Sequence, residues 1–286
     1  MFGLRIDIDT IECLCHGVPN LLKILDKHQI KASFFCPMGW EGDLISVLQH
    51  RFLRSRKGFS REGVASSQGV RKSLSLKEVI SISQKLIWPT RFLEHIDILQ
   101  KVLSEGHDLG VHGYVHARWR CPTPSELKNE FRLMVDAYTN AFGVKPKGLA
   151  APLFQNNDFM LTLCDQNDFS YVSALPGRKP FRPTIGGAKL NHLQIPVTID
   201  PIHDGRMLPI LFHGAKLGLT RKEMVRKAME KIENLSIEET SVLTMHIHPK
   251  DEGIGLVEPF SELMGHIRTA GIVCKPFSEI ATEKWD

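Results

Sequence analysis

The side chains of this chain best suited to chemistry are two aspartates at i and i+2, Asp7 and Asp9, and two histidines at i and i+4, His112 and His116. On a helical turn, i and i+4 project to the same side, so both imidazoles can close on one metal ion while a carboxylate supplies a third ligand. Three protein ligands leave a coordination position open, as catalytic metal sites do; structural sites are closed by four. One carboxylate and two imidazoles suit a divalent transition metal, zinc first, with cobalt or nickel as alternatives. Each half has a bland counterpart: an edge strand whose acids face water, and loop histidines that only hydrogen-bond. Their joint occurrence points to a site.

Alternation along residues 3–9 places Arg5, Asp7 and Asp9 on one strand face and Leu4, Ile6 and Ile8 on the other. The apolar face would pack under helices and leave the carboxylates inside, at the C-terminal end of the strand. Like charges at that spacing repel, so a cation held by one acid relieves the cost and leaves the other as a base. His246 falls at the end of a second strand pattern, 241–247, where an imidazole can protonate a leaving group; His248 shares its face and competes for the role. Asp9, His112 and His116 are therefore expected to bind the metal, Asp7 to take a proton from water, and His246 to protonate a departing amine. The implied reaction is hydrolysis at a metal-polarised carbonyl. Tyr114, Trp119 and Arg182 are candidate substrate contacts, with packing or plain surface exposure as the alternative, and His248 is a fourth if it is not the acid.

Strand and helix patterns alternate through most of the chain. Strands are expected at 3–9, 31–36, 108–112, 147–151, 170–174, 193–197, 241–247 and 272–274. Helices are expected at 18–28, 92–104, from Pro124 to a stop at Gly143, near 221–234 and at 256–269. Repeated βα units predict a parallel sheet with helices outside it, and at 286 residues a barrel or partial barrel of about seven to eight strands in one domain. The stretch at about 40–90 lacks clean periodicity and reads as an insertion after the second strand. Its segment 50–85 carries nine lysines and arginines against two glutamates, with Leu44, Ile45, Val47, Leu48, Phe52, Leu53 and Phe59 interspersed or just upstream. A peripheral contact with an anionic membrane through about 44–85 and a solvated charged loop both fit that composition. No aromatic ladder or reading helix accompanies it, which argues against nucleic acid.

The N-terminus enters a strand pattern at once, with no signal-peptide features, and no apolar run is long enough to cross a bilayer, so a cytoplasmic protein is expected. The six cysteines are then expected to be free thiols. Cys13-Leu-Cys15-His16 offers soft metal ligands, but no second cysteine pair completes a four-ligand set.

At Asp7, Asp9, His112, His116 and His246 the chain resembles the NodB-type polysaccharide deacetylases, carbohydrate esterase family four. The resemblance implies an irregular (β/α) barrel, Asp7 as base, an Asp9–His112–His116 metal triad and His246 as the late histidine. Further blocks resemble the family's deformylases of lipid-linked formamido-arabinose: Gly3-Leu-Arg-Ile-Asp-Ile-Asp-Thr10, Gly17-Val-Pro-Asn-Leu-Leu-Lys-Ile-Leu25, Lys31-Ala-Ser-Phe-Phe35, Gly106-His-Asp-Leu-Gly-Val-His112, Pro180-Phe-Arg-Pro183 and Ile195-Pro-Val-Thr198. They imply an N-acylated, polyprenyl-phosphate-linked amino sugar as substrate, met at the inner face of the membrane. Two departures stand out. Family members carry an arginine that steadies the catalytic aspartate in the segment matching Leu149–Gln155, and this chain has no basic residue there; an aspartate expected near 171–174 is Ala174. Arg5, on the same strand face as Asp7, is the candidate replacement. Two other readings remain open: a deacetylase of polysaccharide or chitooligosaccharide with the same chemistry, and a degenerate barrel that binds metal or sugar without turnover.

Overall fold

The computed structural model describes residues 1–42, 90–120, 122–237 and 242–285. In chain order the strands are β1 (Phe2–Asp7), β2 (Ser33–Cys36), β3 (Asp108–Val111), β4 (Gly148–Ala150), β5 (Tyr171–Ser173), β6 (Thr184–Ile185), β7 (Ala188–Lys189), β8 (Leu193–Gln194), β9 (Ile202–His203), β10 (Arg206–Met207) and β11 (Leu243–Ile247). The helices are α1 (Val18–Lys27), α2 (Ile96–Ser104), α3 (Pro124–Phe142), α4 (Asp158–Gln166), α5 (Ile210–Lys216), α6 (Arg221–Ile237), α7 (Val257–Thr269) and α8 (Phe277–Ile280).

Seven strands form one all-parallel sheet in the order β11-β1-β2-β3-β4-β5-β8. The sheet curls on itself. Just past β8, the Thr198 and Ile199 N–H groups donate to the Thr244 carbonyl of β11 at 3.0 and 2.9 Å. The two remaining strand pairs, β6–β7 and β9–β10, are short antiparallel hairpins outside that sheet. The expected irregular (β/α) barrel is thus what the chain forms.

Strand alternation sorts the side chains into two layers. Leu4, Ile6, Phe34, Leu149, Val172 and Met245 point outward into one continuous buried cluster shared with the surrounding helices. Inward lie Arg5, Asp7, Phe35, Tyr171, Thr244 and His246, all buried. The far end of the barrel is closed by α8, whose Phe277 and Ile280 join Phe35, Tyr171 and Leu193 in a second cluster. A Cβ on Gly3 would sit 2.8 Å from the Phe277 ring, and one on Gly148 would sit 2.1 Å from the Tyr171 ring. Both positions need glycine because backbone and aromatic ring meet at contact distance. Below the site, the Asp108 carboxylate accepts from Tyr171 OH, Ser33 Oγ and the Ser278 N–H.

Several boundaries differ from the sequence expectation. The stretch 272–274 makes only an isolated bridge, Phe2 with Cys274, because the chain turns at once into α8. Helices α4, α5 and α8 and both hairpins were not expected; each is short, the longest of them nine residues. Helix α3 begins at Pro124 as expected, behind a capping box: Glu126 N–H donates to Thr123 Oγ1, and the Glu126 carboxylate accepts the Thr123 N–H. It stops at Gly143, whose φ of 74° is left-handed. The basic insertion, whether membrane contact or solvated loop, and Cys121 lie outside the described residues. The other five cysteines are free.

Candidate active site

The strand C-termini of β1, β3 and β11 converge on a cleft of about 480 Å³. Asp7, Asp9, His112, His116, His246 and His248 all line it. Strand ends are where barrels of this kind carry variable, functional loops.

Asp9 follows β1, His112 follows β3, and His116 opens a 3₁₀ turn, His116–Arg120. One ligand atom from each lies within 4.8 Å of the others. His112 Nε2 stands 3.3 Å and His116 Nε2 3.6 Å from Asp9 Oδ1. His112 Nδ1 is 2.7 Å from the Ala150 carbonyl, so that nitrogen carries the proton and Nε2 presents a lone pair toward Asp9. Asp9 Oδ1 is buried with no hydrogen-bond partner. Burial works to raise the Asp9 carboxyl, but His116, His248 and His112 outweigh it and hold it far below the usual range. Burial pushes His116 down to about 4, leaving it neutral near pH 7. An ionised carboxylate facing two imidazole nitrogens, one of them on a histidine that burial keeps neutral, with one oxygen buried and unsatisfied, is a donor set suited to a divalent transition ion. The residues fit such an ion. Among the described residues, the Cys13–Cys15–His16 stretch contributes to no such cluster.

The histidine loop has a support that the sequence did not reveal. Glu130 of α3 is buried, and one of its carboxylate oxygens accepts the N–H groups of Tyr114 and Val115 at 3.1 and 3.0 Å and the Trp119 indole N–H at 3.2 Å. These donors lie between and just after the two histidines, so Glu130 fixes their separation. Glu130→Ala is expected to weaken zinc binding about 10–100-fold, as loss of an outer-shell partner does. Chelator competition checks this; unchanged zinc affinity would show that the loop holds its shape unaided.

Asp7 is gripped by Arg5. The guanidinium Nε donates to Asp7 Oδ1 at 2.8 Å and Nη2 to Oδ2 at 2.7 Å, while Nη1 donates to the Ser173 carbonyl at 2.8 Å. Burial pulls Asp7 upward, but Arg5, with His112 and His246, prevails and holds it at about 2. The Phe154 ring covers Arg5 at 4.5 Å and meets the edge of His246 at 5.2 Å. Leu153 and Phe154 both take left-handed φ, 58° and 53°. Two consecutive non-glycine residues in that region store strain, here in the wall that carries the ring. Gln155, in the segment where the resemblance implies an arginine, donates to the Arg120 carbonyl instead, and Ala174 is fully buried.

His246 has an acidic partner. The Asp200 carboxylate accepts the His246 backbone N–H at 2.6 Å, contacts its Nδ1 at 2.8 Å, and accepts the Ile210 N–H at 2.8 Å. The ring therefore keeps its proton on Nδ1 and has Nε2 as its remaining proton site. His248 leaves the strand, places Nε2 3.5 Å from Asp9 Oδ2, and donates its backbone N–H to buried Glu252. Asp200 was missed by sequence reasoning, although an acid three residues past the 193–197 strand pattern was the available signal.

Of the four candidate substrate contacts, His248 lines the cleft, whereas the other three sit away from its lining. Trp119 is fully buried against Phe131, Tyr114 packs on Trp40, and Arg182 lies half-buried near His192. The lining includes instead Leu153, Phe154, Arg206, Met207, Leu208 and Phe212.

A protein of Shewanella sediminis (strain HAW-EB3) named as a probable 4-deoxy-4-formamido-L-arabinose-phosphoundecaprenol deformylase is 26% identical over 285 residues, covering 97% of this chain and 85% of its own length. One of the same name from Wigglesworthia glossinidia brevipalpis is 26% identical over 193 residues, 64% of this chain and 63% of its own. Among solved structures, a probable polysaccharide deacetylase from Pseudomonas aeruginosa PAO1 superposes with a TM-score of 0.63 at 12% identity, covering 98% of this chain and 89% of that one. A family-four pseudoenzyme from Bacillus anthracis superposes at 0.54 and 13% identity, covering 100% and 66%. At such identities the structural likeness shows the fold alone. Residues 9–172, more than half of the chain, match the polysaccharide deacetylase profile, so the chain belongs to the polysaccharide deacetylase family, hydrolases of amide carbon–nitrogen bonds.

Proposed function

We propose that this chain is a metal-dependent amidohydrolase that removes an N-formyl, or alternatively N-acetyl, group from an amino sugar carried on a polyprenyl phosphate. One observation carries the reading: Asp9, His112 and His116 meet at one point in the same cleft as an arginine-held aspartate and an aspartate-held histidine. The names of the 26%-identical relatives favour the lipid-linked formamido sugar over a polysaccharide. Among the described residues no helix is long and apolar enough to cross a membrane. A polyprenyl-linked substrate would be met by peripheral contact at the inner face.

A divalent ion, zinc foremost, held by Asp9, His112 and His116 would polarise the acyl carbonyl and acidify water. Asp7, kept ionised by Arg5, takes the proton of the attacking water. As the carbon–nitrogen bond breaks, His246 gives its Nε2 proton to the departing amine, and Asp200 stabilises the imidazolium that delivers it. His246 takes this role over His248 because Asp200 orients it, whereas His248 is turned toward Asp9. The degenerate-barrel reading loses its main support, since Arg5 supplies the cation that the segment ending at Gln155 lacks.

The test is acid release from matched N-formyl and N-acetyl amino sugars, lipid-linked and free, by metal-stripped protein and by protein reloaded with zinc, cobalt or nickel. Metal-dependent formate release, fastest from the lipid-linked sugar, is the expected result. No release from any substrate with any metal would refute the amidohydrolase reading.

A further inference from the structure

The cleft carries more positive charge than hydrolysis of a neutral amide requires. Arg206, Arg120 and Lys250 line it beyond the Arg5–Asp7 pair, while Asp251 is the acid there outside the metal-ligand and base positions. Lys250 is engaged by Glu12 at 3.3 Å. Arg206 differs: its side chain is half-buried and has no acidic or hydrogen-bonding partner among the described residues. A divalent ion on Asp9 and the histidines would add to the surplus. Such a cleft attracts anions and focuses its field on the low-dielectric interior.

The local fold holds Arg206 firmly. It opens β10 after the two-residue turn Asp204-Gly205, whose φ values of 50° and 70° are both left-handed, as the tightest hairpins require. Arg206 pairs with His203 and Met207 with Ile202, and the Leu208 N–H donates to the Pro201 carbonyl at 3.0 Å. The same short segment carries Asp200, the partner of His246. Met207, Leu208 and Phe212 give the wall around Arg206 an apolar face. A guanidinium presents a planar fork of donors that matches phosphate oxygens in pairs.

We propose that Arg206 forms an anion subsite on the cleft rim that receives a phosphate joined to the N-acyl amino sugar, so that the cleft selects phosphorylated over neutral glycosides. The inference rests on the amidohydrolase reading and adds to it the residue that reads the substrate's charge. The phosphate could belong to a free sugar phosphate or to a phosphodiester linking the sugar to a lipid, and the probes separate the two.

The test compares kcat/KM of the zinc-loaded wild-type, Arg206→Ala and Arg206→Lys proteins on three N-formyl amino sugars: a methyl glycoside, a sugar 1-phosphate and a short-prenyl phosphodiester. Binding of the three deformylated amines to the same proteins is measured by calorimetry. Loss of a charge-assisted contact is expected to lower the phosphodiester-to-glycoside ratio about 10–100-fold in Arg206→Ala, through KM, with partial recovery in Arg206→Lys. A matching fall for the 1-phosphate identifies phosphate itself as the ligand; a fall confined to the diester identifies the lipid-linked form. Either ratio staying level would overturn the subsite for that ligand, and equal losses on all three probes would reduce Arg206 to a structural role. If wild-type protein hydrolyses none of the probes, the amidohydrolase reading fails by itself. Calorimetry then decides the subsite, supported only if a phosphorylated amine binds wild type at least tenfold more tightly than Arg206→Ala.

Discussion

Methionine in place of Arg5 is expected to cost the fold about 3–5 kcal/mol, because it leaves a buried carboxylate without its partner. The pH dependence of stability should reverse sign at that site. In the native chain Asp7 is depressed from 3.8 to about 2. Its contribution, of order 2 kcal/mol, is therefore fully present above pH ~4 and fades as pH falls through about 2. Without Arg5, burial dominates and the carboxyl rises above its ordinary value. Asp7 then favours the folded state below that raised value and opposes it as pH climbs through it. The acid limb of the rate profile should move upward in the same variant, since the base must first lose its proton. Denaturant melts across pH together with a pH–rate profile check both effects. A variant with native stability and an unmoved acid limb would show that Arg5 does not hold Asp7 in solution.

The substitution Asp200→Asn carries the second large expected effect. The Ile210 N–H and the His246 N–H bond to different carboxylate oxygens, so the single amide oxygen could accept from only one of them, and the charge that stabilises the imidazolium would be gone. The amide nitrogen can also favour the wrong tautomer. General acid catalysis contributes about 10²–10⁴-fold, and removing the orienting carboxylate of a histidine can forfeit most of it. Asp200→Asn is therefore expected to lower kcat by about 10²–10⁴-fold while zinc content stays at the wild-type level. Turnover within about threefold of wild type would move the acid role elsewhere, with His248 the first candidate.

How far the sequence revealed these groups follows from the distances over which the chain arranges them. β1 was readable because a period of two is strict: Arg5 and Asp7 went inward, Leu4 and Ile6 outward. His112 and His116 were readable as a pair from their spacing alone, although a loop held by Glu130, and not a helical turn, brings them together. His246 and His248 share a face in an ideal strand, yet β11 ends at Ile247, so His248 swings toward Asp9 and only His246 meets Asp200. That distinction depends on where a strand stops, the boundary that patterns locate least well. Asp200 pairs with a residue 46 positions away, and the stretch around it contains only two-residue strands, too short for alternation to register. Trp119 looked like a cleft aromatic because it follows His116, but its indole N–H is taken by Glu130 from a helix the sequence did place. Phe154 could not be foreseen as the cover of Arg5, because its left-handed backbone overrides the direction that propensity would give it.

The short helix α8 closes the barrel from below, and Gly3 in the first strand has no side chain because Phe277 occupies that space. The first strand and the last helix are therefore two parts of one stopper, made some 270 residues apart during synthesis. A nascent chain can assemble the early βα units as they emerge from the ribosome. It cannot expel water from beneath Arg5 and Asp7 until residues 277–280 are free to seat, so the charged layer is sealed only after translation has passed them.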